Sequence, residues 1–78
     1  MLYIVEDDAN IRQMESYALK NSGFEVAEFA NAAEFWRACE IQLPELLLLD
    51  IMLPGEDGFA LLQKLRNQPQ THDIPVII

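Results

Sequence analysis

Positive charge is scarce in this chain: five Lys and Arg against thirteen Asp and Glu leave a formal net charge of −8 at pH 7. That balance repels the phosphates of nucleic acid and the anionic leaflet of a membrane, so the chain by itself is expected to bind neither. The one cysteine, Cys39, excludes an internal disulfide. Its apolar helical surroundings favour a buried structural thiol over a redox or catalytic one, and a cytoplasmic setting is the expectation. No stretch approaches the roughly 18 apolar residues that span a bilayer. The N-terminus passes from a short apolar run straight into acids, without the basic and long apolar regions of a secretory leader.

Internal repeats, low-complexity tracts and Gly/Ser/Pro-rich linkers are missing too, so nothing divides the 78 residues into two units. Residues 1–78 are expected to form a single domain, near the size at which one core is only just sufficient. Apolar residues make up 51% of the chain, which argues against intrinsic disorder.

What the chain does have is alternation. Short apolar runs occupy Leu2–Val5, Leu46–Leu49 and 76–78, with a mixed run at Val26–Phe29. Such runs suit strands of a parallel sheet covered on both faces. Helical patterns lie between them. Over Ala9–Asn21, the residues Ile11, Met14 and Ala18 follow the helical period, Asp8 precedes them as an N-cap, and Gly23 follows where a left-handed residue is needed. Asn31 and Glu34 resemble a capping box ahead of an inner stripe of Phe35, Ala38 and Cys39, which Pro44 stops. Asp57 is placed to cap a third helix through Leu65, with Phe59, Leu62 and Leu65 or nearby residues facing inward. The order β-α-β-α-β-α-β calls for an open parallel α/β sheet with right-handed crossovers and helices on both faces.

The acids fall at telling places. Glu6, Asp7 and Asp8 follow the first apolar run, and Asp50 directly follows Leu46-Leu47-Leu48-Leu49. Ligands of open α/β sheets sit beyond the carboxyl ends of the strands, where the strand order reverses. In a 2-1-3-4 order the first and third strands are neighbours, and Glu6, Asp7 and Asp50 converge. Converging carboxylates raise one another's pKa unless a cation neutralises them. With hard oxygens and no His or Cys beside them, Mg²⁺ is the expected ion, keeping several waters and sharing its remaining positions with a phosphate. An Asp carboxylate can itself be the nucleophile of phosphoryl transfer.

"YIVEDDANIR" followed by "LLLLDIMLPGEDGFALLQKLR" resembles the receiver domain of two-component response regulators, in particular those of the transcription-factor branch with winged-helix output. The resemblance covers the whole chain and implies a flavodoxin-like fold. It implies that Asp50 is the phospho-acceptor, charged by a phosphohistidine of a sensor histidine kinase. Asp7 would bind Mg²⁺ directly, Glu6 mostly through a water, and the backbone carbonyl of Met52 would supply another ligand. Pro54, Gly55 and Gly58 would shape the loop after the acceptor. The family pattern continues past "DIPVII" into a Ser or Thr, a further strand ending in a Lys, and two more helices. The chain therefore reads as the N-terminal portion of a single receiver domain, ending within strand four. Two expectations follow: weakened phosphorylation at Asp50, and an unprotected edge that favours a homodimer or strand-exchanged oligomer. DNA contact would belong to an output domain outside these residues.

Other families fit the residues less well. A haloacid-dehalogenase-type phosphatase needs a second Asp where Met52 stands, and neither acidic segment has the alternating ligands of a calcium loop. Turnover on a small molecule is therefore not expected. The stronger alternative is a module that self-associates or binds partners without phosphorylation. Among single residues, Asp8 reads as a helix cap, Glu56 and Asp57 as a loop acid and a cap, and His72 as a solvated loop residue. Tyr17 and Trp36 are expected to be partly buried, and Glu15, Glu34 and Glu40 to be solubilising surface.

Overall fold

The structure, a computed structural model, describes residues 1–50 and 58–78. Met52, Pro54, Gly55, Glu56 and Asp57 lie outside the described residues. Among the described residues the elements run β1 (Leu2–Val5), α1 (Ala9–Asn21), β2 (Val26–Phe29), α2 (Ala32–Cys39), β3 (Leu46–Leu49), α3 (Gly58–Asn67) and β4 (Val76–Ile77). The strands form one parallel sheet in the order β2-β1-β3-β4, as the alternation of the sequence implies. No helix among these residues is long and apolar enough to cross a membrane.

Register decides which side chains share a face. Leu2 to Val5 pair in step with Val26 to Phe29 on one side and with Leu46 to Leu49 on the other. Because side chains alternate along a strand, Tyr3, Val5, Leu47 and Leu49 point to one face. There they meet Phe35 of α2 and Leu61 and Leu65 of α3, all three fully buried. Tyr3, Phe29, Phe35 and Trp36 are linked by edge-to-face contacts at 4.9 to 6.4 Å, the arrangement that aromatic quadrupoles prefer. The opposite face carries Leu2, Ile4, Glu28, Leu48 and Ile77. Helix α1 covers the β1 and β2 half of it, and Glu28 lies 3.8 Å from Arg12 Nε and 3.9 Å from Lys20 Nζ.

Local chemistry sets most helix ends where the sequence places them. The Asp8 carboxylate accepts from the backbone N–H groups of Asn10 (2.9 Å) and Ile11 (3.1 Å), two donors that the first helical turn leaves free. Replacing Asp8 with Ala is expected to cost about 1 kcal/mol in urea unfolding; an unchanged midpoint would count against the cap. Gly23, at φ 94°, takes the left-handed conformation that ends α1. Asn31 Oδ1 accepts from Glu34 N at 2.9 Å, while its Nδ2 donates to the Glu34 carboxylate at 3.2 Å. After α3, buried Thr71 donates to the Leu65 carbonyl at 2.7 Å, and Arg66 donates to the carbonyls of His72 and Ile74 at 2.8 Å. These bonds hold the connection that leads into β4. His72 itself is exposed, as expected, beside Asp73.

Four expectations need correction. On α1, Ile11, Met14, Tyr17 and Ala18 are exposed, and the stripe turned toward the sheet is Arg12, Glu15, Ser16 and Leu19. Apolarity alone picked the wrong side of this helix, because its inward side serves the polar rim of the sheet. On α3 the stripe is Gly58, Leu61, Leu62 and Leu65, one helical face, and it leaves Phe59 exposed. The helix α3 also continues two residues past Leu65. Helix α2 ends at Cys39, well before Pro44, where the N–H groups of Ile41 and Gln42 both donate to the Ala38 carbonyl. Burial raises the Cys39 thiol pKa to about 11, consistent with the unreactive thiol expected there.

Candidate metal centre

The ladder carries two acids into one place. Beyond the last strand residues, Asp50 N donates to Val5 O and Glu6 N donates to Phe29 O, both at 3.0 Å. The register therefore extends one residue past β1 and β3, setting Glu6 beside Asp50 on adjacent strands, which lie about 4.8 Å apart. By alternation both continue the Ile4 and Leu48 face. Glu6 is buried, Asp50 half-buried, and Asp7, one residue on, exposed in the turn toward α1. Each of the three offers a carboxylate oxygen, and these oxygens lie within 4.8 Å of one another. The convergence expected from the sequence is present; the Met52 carbonyl lies outside the described residues.

Crowding leaves an electrostatic signature. The Glu6 carboxyl is pushed up to about 7, first by burial, then by its hydrogen bond to Asp50 and the Asp50 charge, with a smaller contribution from Asp7. The Asp8 backbone N–H, 3.3 Å from Glu6 Oε2, pulls the other way. A divalent cation fits this donor set: it would replace the proton on Glu6, neutralise the mutual repulsion, and meet only hard oxygens.

Two residues were missed by reading the sequence for acids at strand ends. Glu15 of α1 lines a cleft of about 410 Å³ together with Glu6, Asp50, Leu48 and Ile77. Its carboxyl is raised by burial and then by the Asp50 charge, so it is part of the site's field and not the simple surface acid expected. Arg12 reaches the backbone of Glu6 from the same stripe of α1. The available signal was the spacing of Arg12, Glu15, Ser16 and Leu19, which is helical but mostly polar. Asp8 keeps the capping role that the sequence gives it. Glu34 and Glu40 are exposed, as expected.

Comparisons with known proteins agree with this geometry. A family model described as response regulator receiver domain matches residues 2–78. The phosphate regulon transcriptional regulatory protein PhoB of Pseudomonas aeruginosa is 39% identical over 77 residues, covering 99% of this chain and 34% of that protein. The DNA-binding dual master transcriptional regulator RpaA of Synechocystis is 37% identical over 78 residues, covering 99% and 32%. The chain thus spans about a third of the length of these curated relatives. Among solved structures, the signal receiver domain of a signal transduction histidine kinase from Syntrophus aciditrophicus superposes with a TM-score of 0.92 at 31% identity, over 96% of this chain and 57% of that one.

Proposed function

The chain belongs to the response regulator receiver domain family, and from that membership we propose that it is a Mg²⁺-dependent phospho-acceptor taking a phosphoryl group from a sensor histidine kinase onto Asp50. The observation that carries this reading is the meeting of Glu6, Asp7 and Asp50, with ligand oxygens within 4.8 Å of one another at the carboxyl rim of the sheet. Asp50 supplies the nucleophile: a carboxylate oxygen attacks the phosphorus of a phosphohistidine, the P–O bond forms as the P–N bond breaks, and the departing imidazole nitrogen takes up a proton. Glu6, Asp7 and Asp50, with the Met52 carbonyl, would hold the cation, which when bound neutralises charge on the transferring group. Asp7, exposed in the turn, is the direct ligand in this reading, and buried Glu6 acts through a water.

In the longer protein the aspartyl phosphate would act as a switch, its added charge biasing a surface that controls an output domain, in keeping with the transcriptional regulators among the relatives. The setting proposed is cytoplasmic. A module that binds partners or itself without phosphorylation is the second reading, and it draws on the exposed Ile11, Met14, Ile77 and Ile78. One experiment separates the two. The chain is incubated with acetyl phosphate with and without Mg²⁺, reduced with borohydride and mapped by mass spectrometry. The phospho-acceptor reading expects homoserine at position 50 that depends on Mg²⁺. Modification elsewhere, or none that responds to Mg²⁺, overturns it in favour of the second.

A further inference from the structure

Arg12 is held in an unusual way for an exposed-helix arginine: it lies on the inward stripe of α1 with its side chain only 18% exposed. Its Nη1 donates to the Glu6 carbonyl at 2.7 Å, and its Nε lies 3.8 Å from Glu28 Oε1 on β2. The guanidinium therefore ties together α1, the end of β1 and β2. We propose that Arg12 is a positioning residue of the acid cluster, fixing the peptide between Glu6 and Asp7 so that both carboxylates face Asp50. The proposal rests on the reading that this cluster takes a divalent cation.

The reason lies in which atoms each bond restrains. The Glu6 carbonyl belongs to the planar peptide that joins Glu6 to Asp7, so holding it sets the direction of both adjoining side chains. The other bonds of the turn act further along: Asn10 N and Ile11 N donate to the Asp8 carboxylate, and Arg12 N donates to Asp8 O. They seat Asp8 on the helix. The bond from Arg12 acts on the preceding peptide, where the ladder from β1 to β3 gives out after Asp50 N to Val5 O. A charged donor makes it roughly twice as strong as a neutral one.

Charge and positioning make opposite predictions, which gives the test its force. A guanidinium near the site repels Mg²⁺, so if Arg12 acted through charge alone, removing it would tighten binding. If it positions ligands, removing it loosens binding. Mg²⁺ is titrated calorimetrically into the wild-type chain, Arg12→Met and Arg12→Lys at about pH 7.5 and fixed ionic strength, and the Asp7 amide resonance is followed in the metal-free proteins. Arg12→Met is expected to weaken Mg²⁺ binding about tenfold, the scale of losing a partner that orients a ligand, and to shift the Asp7 resonance. Arg12→Lys keeps the charge and a donor but not the planar fork, and is expected to fall between the wild-type chain and Arg12→Met in both readouts.

Unchanged or tighter binding by folded Arg12→Met overturns the proposal. Should that variant unfold, Arg12→Lys decides: wild-type affinity together with an unmoved Asp7 resonance overturns it, and a weaker affinity with a shifted resonance supports it. If the wild-type chain takes no Mg²⁺, the functional reading fails instead, and the Asp7 resonance in the metal-free variants decides the positioning role by itself.

Discussion

In magnesium-free buffer the folded chain is expected to lose stability as the pH rises from about 4.5 to about 7, and Mg²⁺ is expected to restore it. The cause is Glu6, whose carboxyl is raised from 4.5 to about 7 by burial and by Asp50. Between those values the folded state binds more protons than the unfolded state, so unfolding becomes easier as protons are withdrawn. The stabilisation is complete below the unfolded value and is lost as the pH passes through the folded one. Even a fraction of such a linkage matters in a domain whose total stability is small.

A cation that takes the place of the proton reverses the trend, because binding is tightest where the carboxylates are already ionised. Urea unfolding at about pH 5 and about pH 8, with EDTA or with Mg²⁺, measures both effects. The expected outcome is a midpoint that falls with pH in EDTA and a Mg²⁺ gain that is larger at the higher pH. A midpoint that rises with pH in EDTA, or a Mg²⁺ gain equal at both values, would show that the acid cluster is not strained.

Asp50→Asn is expected to act in two directions at once. Without metal, the neutral amide removes the charge that faces Glu6 and offers that carboxylate an N–H donor, so the variant gains about 1 to 2 kcal/mol of stability near neutral pH. With metal, one of three clustered ligands has lost its charge, and Mg²⁺ affinity drops by about tenfold or more. On the proposed reading, phosphoryl acceptance is also expected to disappear, because an amide oxygen is a poor nucleophile. The combination identifies a site held in tension for a cation: a residue placed for structure loses stability when replaced. A variant less stable than the parent in EDTA at about pH 8 would contradict this view.

The sheet was legible in the sequence because its strands announce themselves twice, by three short apolar runs and one mixed run, and by the turn and cap residues between them. Asp8, Gly23 and Asn31 mark helix ends by backbone chemistry that needs no tertiary context. Glu6, Asp7 and Asp50 were legible for a related reason: each stands one or two residues past a strand end, and strand order then brings them together. The side of α1 was not legible. Its apolar residues Ile11 and Met14 are exposed, while Arg12 and Glu15 turn to the sheet because their charged ends reach Glu6 and the Asp50 cleft. A helix that turns polar side chains toward the rim of a sheet departs from the amphipathic rule. On α3 apolar residues fit more than one helical spacing, and the buried face is the one that carries Gly58, Leu61 and Leu65 and not Phe59.

The central claim is that Glu6, Asp7 and Asp50 share one divalent ion. Paramagnetic broadening by Mn²⁺, followed residue by residue in the NMR spectrum, tests it directly, because broadening falls steeply with distance from the metal. Substoichiometric Mn²⁺ is expected to broaden the amides of residues 6, 7 and 50 together, with Mg²⁺ in excess restoring them as a group. Broadening centred on other acids, such as Glu34, Glu40 or Glu45, while residues 6, 7 and 50 keep their sharp signals, would contradict it.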